Sequence, residues 1–477
     1  MPLARPPPVD PSIHSTREER RLLSSSLRRK KSLADHLGRR EVRNSEIRLR
    51  GANTDVSGGP GGGRGEELSL FKHSDFLKFW SADSISFFGS QFSAFAIPWV
   101  AVTALGADPS QMGILGALSL LAFPLFGLFV GVWVDRNLRK RTMIVSNMGR
   151  ALLLATIPAA AILGGLNMSL LYIVSFLVGT FQAFFDIAYQ AYVPSLVERT
   201  QLVEANSKLE TSRSTAQVAG PSIAGVLVQI FSAPYVILGD VLGYFGSATF
   251  LSTIRKKEAT PEARGKTVFE DIREGLVVVL RNRSLSSIAG CTATSNLFSN
   301  AYGVLLLLFF YNELHMSAFE SGIVFTAGGI GSVVGALTSS RISRILGVGW
   351  AIVSGALIFG VAWLAFYFAA QPFAIPLMAI AQFIIGVTVV LYNVNQVSYR
   401  QALVPLELQG RMNASVRFIV WGTIPVGAIL GGVLGQWLGV RPAIGLSAIG
   451  SMLAFLWVIL SPVRKIREIP GREQRRR

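Results

Sequence analysis

The sequence predicts an all-α membrane protein of twelve transmembrane helices arranged as two six-helix, pseudo-symmetric bundles. Three observations predict it. The 477-residue chain is 51% hydrophobic and only 15% charged, where soluble chains average about 25% charged. Apolar runs of bilayer-spanning length, about 20 residues each, recur twelve times between Trp80 and Pro462. The connections alternate between nearly uncharged hairpins and basic loops, the pattern that alternating sides of a membrane produce.

Residues 1–67 differ from the rest. "RPPPVDP" opens them, an Arg/Lys cluster follows, and "SGGPGGGRGEE" closes them with linker chemistry, so a disordered basic tail is expected. A solvated tail, a start assigned too early, or a segment binding anionic lipid or nucleic acid are its readings; no apolar signal-peptide core lies in it. The spans then run 78–105, 110–134, 142–164, 168–192, 203–231 and 234–254 in an N-terminal bundle over 68–254. A linker follows over 255–284. Within it Val268, Phe269, Ile272, Leu276 and Leu280 fall on one helical stripe, which suits an interfacial amphipathic helix or a soluble packing helix. The C-terminal bundle over 285–463 holds spans 285–312, 317–340, 349–370, 373–399, 409–437 and 442–462, and a basic tail closes the chain over 464–477.

The even-numbered loops carry nearly all the inter-span Lys and Arg, from Arg136 to Arg400, while the odd-numbered loops hold Arg441 alone. The positive-inside rule therefore places both termini in the cytoplasm, in a cell (inner) membrane, and accounts for the +17 charge without a nucleic-acid partner. One cysteine and four histidines give no disulfide framework and no metal cluster. "GKT" at 265–267 has Thr260 where a P-loop needs its first glycine, so no nucleotide site or other cofactor is expected, and no enzyme. The halves repeat. "QAYVP" at 190–194 recurs as "QALVP" at 401–405, and Asn206 with Gly225 matches Asn413 with Gly432. Such parallel duplication marks transporters whose halves rock about a central site.

"GVWVDRNLRKR", after span 2, resembles the signature loop of the major facilitator superfamily. Gly131, Asp135, Arg136, Arg139, Lys140 and Arg141 match it, and Leu138 replaces the second glycine. The resemblance implies a gate whose acid caps a helix end of the other half, as the helix macrodipole favours, and whose bases hold the cytoplasmic side closed. Purely topogenic charge is the plainer alternative. The counterpart after span 8 keeps Gly335 and Arg341 but has Ser339 for the acid. "AGPSIAG" on span 5, with Gly220, Pro221 and Gly225, resembles the Gly-Pro motif of the family's exporters; it also reads as a packing kink. Residues 68–465 look like the bacterial branch that includes the enterobactin exporter and macrolide efflux proteins. Ser90, after Gly89, and Ser175 stand where an acid and an arginine are found in relatives.

Ionisable residues inside a bilayer are costly and point to function. Asp186 and Arg150 lie roughly 9 and 12 Å from the cytoplasmic ends of antiparallel spans 4 and 3, so they are expected to pair, either statically or in response to protons or substrate. Glu210 and Arg213, one turn apart, are expected to extend that network. Asp83 and Asp240 sit nearer span ends, where solvation is an equal alternative. The resemblance makes helices 1, 4, 7 and 10 the cavity lining. That gives Gln91, Phe95, Gln182, Phe185, Asn296, Asn300, Tyr392, Asn393, Asn395 and Gln396 as substrate candidates, with helix–helix hydrogen bonding as their other role. Amides and aromatics with few charges suit a large, moderately apolar ligand. The expectation is a monomeric exporter of drug-like or metabolite molecules, macrolide- or siderophore-like, in exchange for protons. An importer and a non-transporting sensor or scaffold are the alternatives.

Overall fold

The computed structural model describes residues 70, 73–256, 258 and 268–468. Among the described residues, twelve helices are long and apolar enough to cross a membrane. The N-terminal half comprises α1 (Ser74–Thr103), α2 (Pro109–Arg136), α3 (Arg139–Leu163), α4 (Met168–Leu196), α5 (Leu202–Phe231) and α6 (Ala233–Ser252). The linker helix is α7 (Val268–Arg281). The C-terminal half comprises α8 (Arg283–Gly303), α9 (Ala318–Leu346), α10 (Val348–Tyr367), α11 (Ala374–Leu403), α12 (Leu406–Leu438) and α13 (Val440–Leu453). Span 7 continues beyond α8 through Leu306–Leu308 and a π-helical turn, Phe309–Glu313, and span 12 continues through Phe455–Ile459. The expected tails over 1–67 and beyond Glu468 lie outside the described residues, as do the side chains of Asp135, Val268, Phe269 and Ile272.

Short polar turns set the helix starts. Asp108 and Gln111 form a capping box at α2, with Pro109 in its first turn, and Ser317 with Glu320 does the same at α9; each pair satisfies backbone N–H groups left open by the helix start. Gly164, at φ 70°, lets the α3–α4 hairpin turn left-handed. Arg441, the exception to the loop-charge pattern, is held by Glu313 at 3.0 Å. The end of the bundle carrying the Arg139–Arg141 loop is called the basic end below, and the opposite one the neutral end.

The halves share one packing scheme: α1 with α6, α2 with α4 and α3 with α6 correspond to α8 with α13, α9 with α11 and α10 with α13. Between the halves, α2 meets α12 and α5 meets α9. Close approach inside each half depends on glycine. A methyl at Gly431 would overlap the Ala301 carbonyl of α8, so Gly431→Val is expected to cost at least about 1–3 kcal/mol of overpacking. It should appear as a drop of several degrees in the thermal unfolding of detergent-solubilised protein.

The linker helix lays Gly275 against Arg411 and Ser415 of α12 and buries Val279. Leu280, from the predicted stripe, is 62% exposed. Of the predicted stripe, Leu276 is half-buried, and the side chains of Val268, Phe269 and Ile272 lie outside the described residues.

Candidate substrate cavity and charge network

The two halves touch at the neutral end and part at the basic end. A Cβ on Gly113 of α2 would lie 2.7 Å from the Cα of Gly432 on α12; one on Gly225 of α5 would lie 2.5 Å from the Ala318 carbonyl of α9; one on Gly322 would lie 2.7 Å from the Pro221 carbonyl. Ser222 and Thr326 hydroxyls bond across the same seam at 2.5 Å. The repeat-related glycines Gly225 and Gly432 therefore occupy the two equivalent crossings between halves. Aromatic rings complete the closure: Phe95 meets Phe325 edge-on at 6.4 Å, and Trp99 meets Tyr311 at 5.9 Å. Toward the basic end, Gly131 of α2 and Gly410 of α12 have nothing within 4 Å of a would-be Cβ. The buried apolar core divides accordingly. One cluster joins both halves at the neutral end, and each half keeps its own clusters at the basic end.

Between the halves lies a cavity of about 890 Å³. Of the sequence candidates, it brings together Gln91, Phe95, Gln182 and Asn300, and Pro221 of the Gly-Pro motif joins them. Gly220 instead lets α5 approach α1, its would-be Cβ lying 2.5 Å from Cβ of Gln91. Asn296, Tyr392 and Asn393 face a separate cleft of about 80 Å³ inside the C-terminal half. Asn395 accepts from Ser343 at 2.8 Å, Gln396 donates to Asn393 at 3.3 Å, and Phe185 stacks beside Tyr189. Polar spacing on one helix does not reveal which face meets the cavity; on α11 that face presents Gln382. Sequence reasoning also missed Ser93, Tyr244 and Trp363 on the wall, and it noted Ser90 and Ser175 only as departures from relatives, although both line the cavity.

The charge network differs from its expectation. Arg150 is fully buried, yet no direct ion pair joins it to Asp186 among the described residues. Its guanidinium donates to the Gln182 and Asn147 side-chain oxygens and lies over the rings of Tyr244, at 4.1 Å, and Phe185, at 4.6 Å. Gln182 in turn donates to Asp186 at 2.8 Å. A single amide on the cavity wall thus bridges base and acid, because residues four apart share a face of α4. Asn147 continues the chain by donating to Ser247 of α6 at 2.8 Å.

Arg213 belongs to another pair. It meets Asp83 of α1 at 3.3 Å and lies over the Tyr189 ring at 4.3 Å, while Glu210 is exposed. Asp83 and Asp240 are 3% and 1% exposed, which corrects their possible solvation: helix packing, rather than distance from a span end, decides it. Removing one partner of a buried pair strands the other charge. Arg213→Ala is expected to lower stability by about 3 kcal/mol, and adding Asp83→Asn should recover most of the loss in thermal unfolding.

The signature loop bonds within its own half. Arg139 reaches the Ala191 carbonyl at 3.2 Å, and Lys140 reaches Ser252 and Ile254 carbonyls at 3.0 and 2.7 Å. The backbone N–H groups of Arg139 and Lys140, which open α3, donate to the Glu258 carboxylate at 3.2 and 3.1 Å. Glu258, in the linker, thus caps the N-terminus of α3; the side chain of Asp135, to which the resemblance gives a helix end of the other half, lies outside the described residues. Asp75 similarly accepts from the backbone of Arg255 and Lys256. Arg136 and Arg141 are exposed.

A family model described as a transmembrane secretion effector, of major facilitator type, matches residues 66–474. The chain is 26% identical to the multidrug efflux pump Tap of Mycolicibacterium fortuitum, across 79% of this chain and 93% of that protein. It is 24% identical to macrolide efflux protein A of Streptococcus pyogenes, across 83% and 97%. A bacterial homologue of the iron transporter ferroportin, inward-facing, superposes with a TM-score of 0.65 at 16% identity, over 81% of this chain and 98% of that one.

Proposed function

We propose a function from the premise that this chain belongs to the transmembrane secretion effector family, and so to the major facilitator transporters: it exports drug-like or metabolite small molecules across the cell (inner) membrane by alternating access, in exchange for protons. The observation that carries this reading is the cavity of about 890 Å³ between the halves, closed by packed glycines and rings at the neutral end. Loop charge puts the basic end, with both termini, in the cytoplasm. The cavity is then ready to load from inside, and rocking the halves about the α2–α12 and α5–α9 crossings delivers its contents outward. Its mixture of amides and aromatic rings favours a large, moderately apolar solute, in keeping with a macrolide- or siderophore-like molecule and with the multidrug and macrolide pumps among its relatives.

Proton exchange is assigned to the Arg150–Gln182–Asp186 chain. Asp186 is the only acid hydrogen-bonded to a cavity-lining side chain among the described residues. Protonating it weakens its hold on Gln182, which frees that amide to follow Arg150 or the solute. The signature-loop bases, bonded here within one half, are free to engage the other half when the basic end closes. The protein works as a monomer, since one chain encloses the whole cavity.

The test uses inside-out vesicles made acidic inside and carrying a pH-sensitive dye. Adding a transported macrolide or catecholate siderophore should release protons, and none should be released by vesicles lacking the protein. Solute entry without a dye response would remove proton exchange and keep export; solute leaving the vesicles instead would favour an importer.

A further inference from the structure

Asp240 on α6 stands apart from the other buried acids. It is 1% exposed, it lines the cavity, and both its carboxyl oxygens lack a hydrogen-bond partner. Among the described residues it is also the only Asp, Glu, Lys or Arg on the cavity wall. Asp83 has Arg213, and Asp186 has Gln182. Arg150 acts on Asp240 through space, but its guanidinium is committed to Gln182 and Asn147 between two rings, and no ion pair reaches Asp240. The Ser93 hydroxyl lies beside the carboxyl and acts on it, but no well-formed hydrogen bond joins the two and the hydroxyl brings no charge to balance a carboxylate.

The placement is rigid. A Cβ on Gly89 of α1 would lie 2.9 Å from Oδ1 of Asp240 and 3.1 Å from its Cα, so α6 is pressed against the middle of α1 with the carboxyl at the contact. Phe95, Phe325, Phe359 and Trp363 line the same space. Aromatic faces attract cations that have lost their water, and a buried carboxylate without a partner is costly until a cation or a proton reaches it.

We propose that Asp240 anchors a cationic nitrogen of the transported molecule, so that the solute is a lipophilic amine whose apolar body lies among the rings and whose ammonium sits on this carboxylate. The inference rests on the export reading and narrows it to one substrate class. The uncharged amides Gln91, Asn300 and Gln382 on the wall orient the rest of the molecule and contribute nothing to its charge preference.

Matched probes separate charge from shape: erythromycin, a tertiary amine, against its neutral N-oxide, and tetraphenylphosphonium against neutral triphenylphosphine oxide. Binding is measured with the full chain in lipid nanodiscs at pH 7.5, and export in inside-out vesicles. The wild-type protein should prefer erythromycin to its N-oxide by tenfold or more, and the phosphonium pair reports whether charge without an amine suffices. Asp240→Asn and Asp240→Ser should erase that preference while holding neutral-probe affinity within about twofold, which also reports that the variants are folded. Equal wild-type affinity for charged and neutral members overturns the proposal and leaves export standing, as does a preference that survives both substitutions. A variant that loses the neutral probes as well assigns Asp240 to packing and overturns the anchor. Absence of export for every probe removes the export reading, and this inference falls with it.

Discussion

Asp186→Asn is expected to reduce solute-driven proton release from acidified inside-out vesicles to background, with solute binding changed less than about threefold. An asparagine at 186 still accepts the Gln182 amide that Asp186 accepts at 2.8 Å, so the wall of the cavity keeps its shape. The variant loses only a carboxyl that can gain and lose a proton. Gln182 connects that event to Arg150, whose position between Tyr244 and Phe185 ties α3 to α4 and α6. Arg150→Met should behave differently. It leaves Asn147 and Gln182 without their donor in a buried setting, so it is expected to lower the yield of folded protein as well as transport. Proton release that survives Asp186→Asn would move coupling to another acid.

Gly113→Leu is expected to abolish transport while each half remains folded. The would-be Cβ at 113 lies 2.7 Å from the Cα of Gly432, and neither atom is the end of a flexible side chain, so the helices themselves must separate. Moving a two-state equilibrium from 1:99 to 99:1 takes about 5.5 kcal/mol. Overpacking typically costs about 1–3 kcal/mol, so Gly113→Ala should shift the population partly, and the whole leucine side chain should complete the shift. The check is chemical. With the sole cysteine removed by Cys291→Ala, a cysteine placed by Phe325→Cys should be hidden from an impermeant maleimide at the neutral face in the parent and reactive in Gly113→Leu. Continued protection would show that the seam tolerates the side chain.

All twelve spans were legible because bilayer length and loop charge are one-dimensional signals: span 168–192 is realised as Met168–Leu196, and span 373–399 as Ala374–Leu403. Rotation about each helix axis is not such a signal. Tyr392, Asn393, Asn395 and Gln396 make α11 polar, yet they serve a side cleft, Ser343 of α9 and one another, while Gln382 reaches the cavity. The short α3–α4 hairpin correctly brings Arg150 and Asp186 near one depth; that Gln182 stands between them depends on side-chain direction. Glu210 and Arg213 were expected to extend the Arg150–Asp186 network together, but α1 crosses α5 there and offers Asp83 to Arg213, while Glu210 is exposed. Glu258 was invisible as a partner for the signature loop since nothing local links it to Arg139 across more than a hundred residues.

The clasp at Glu258 has a mechanical corollary. Its carboxylate fastens the start of the linker to the N-terminal half, and α7, beginning at Val268, rests on α12 of the other half. The linker is thereby fastened to both halves, so any movement that parts the basic ends must carry these two fastenings apart as well.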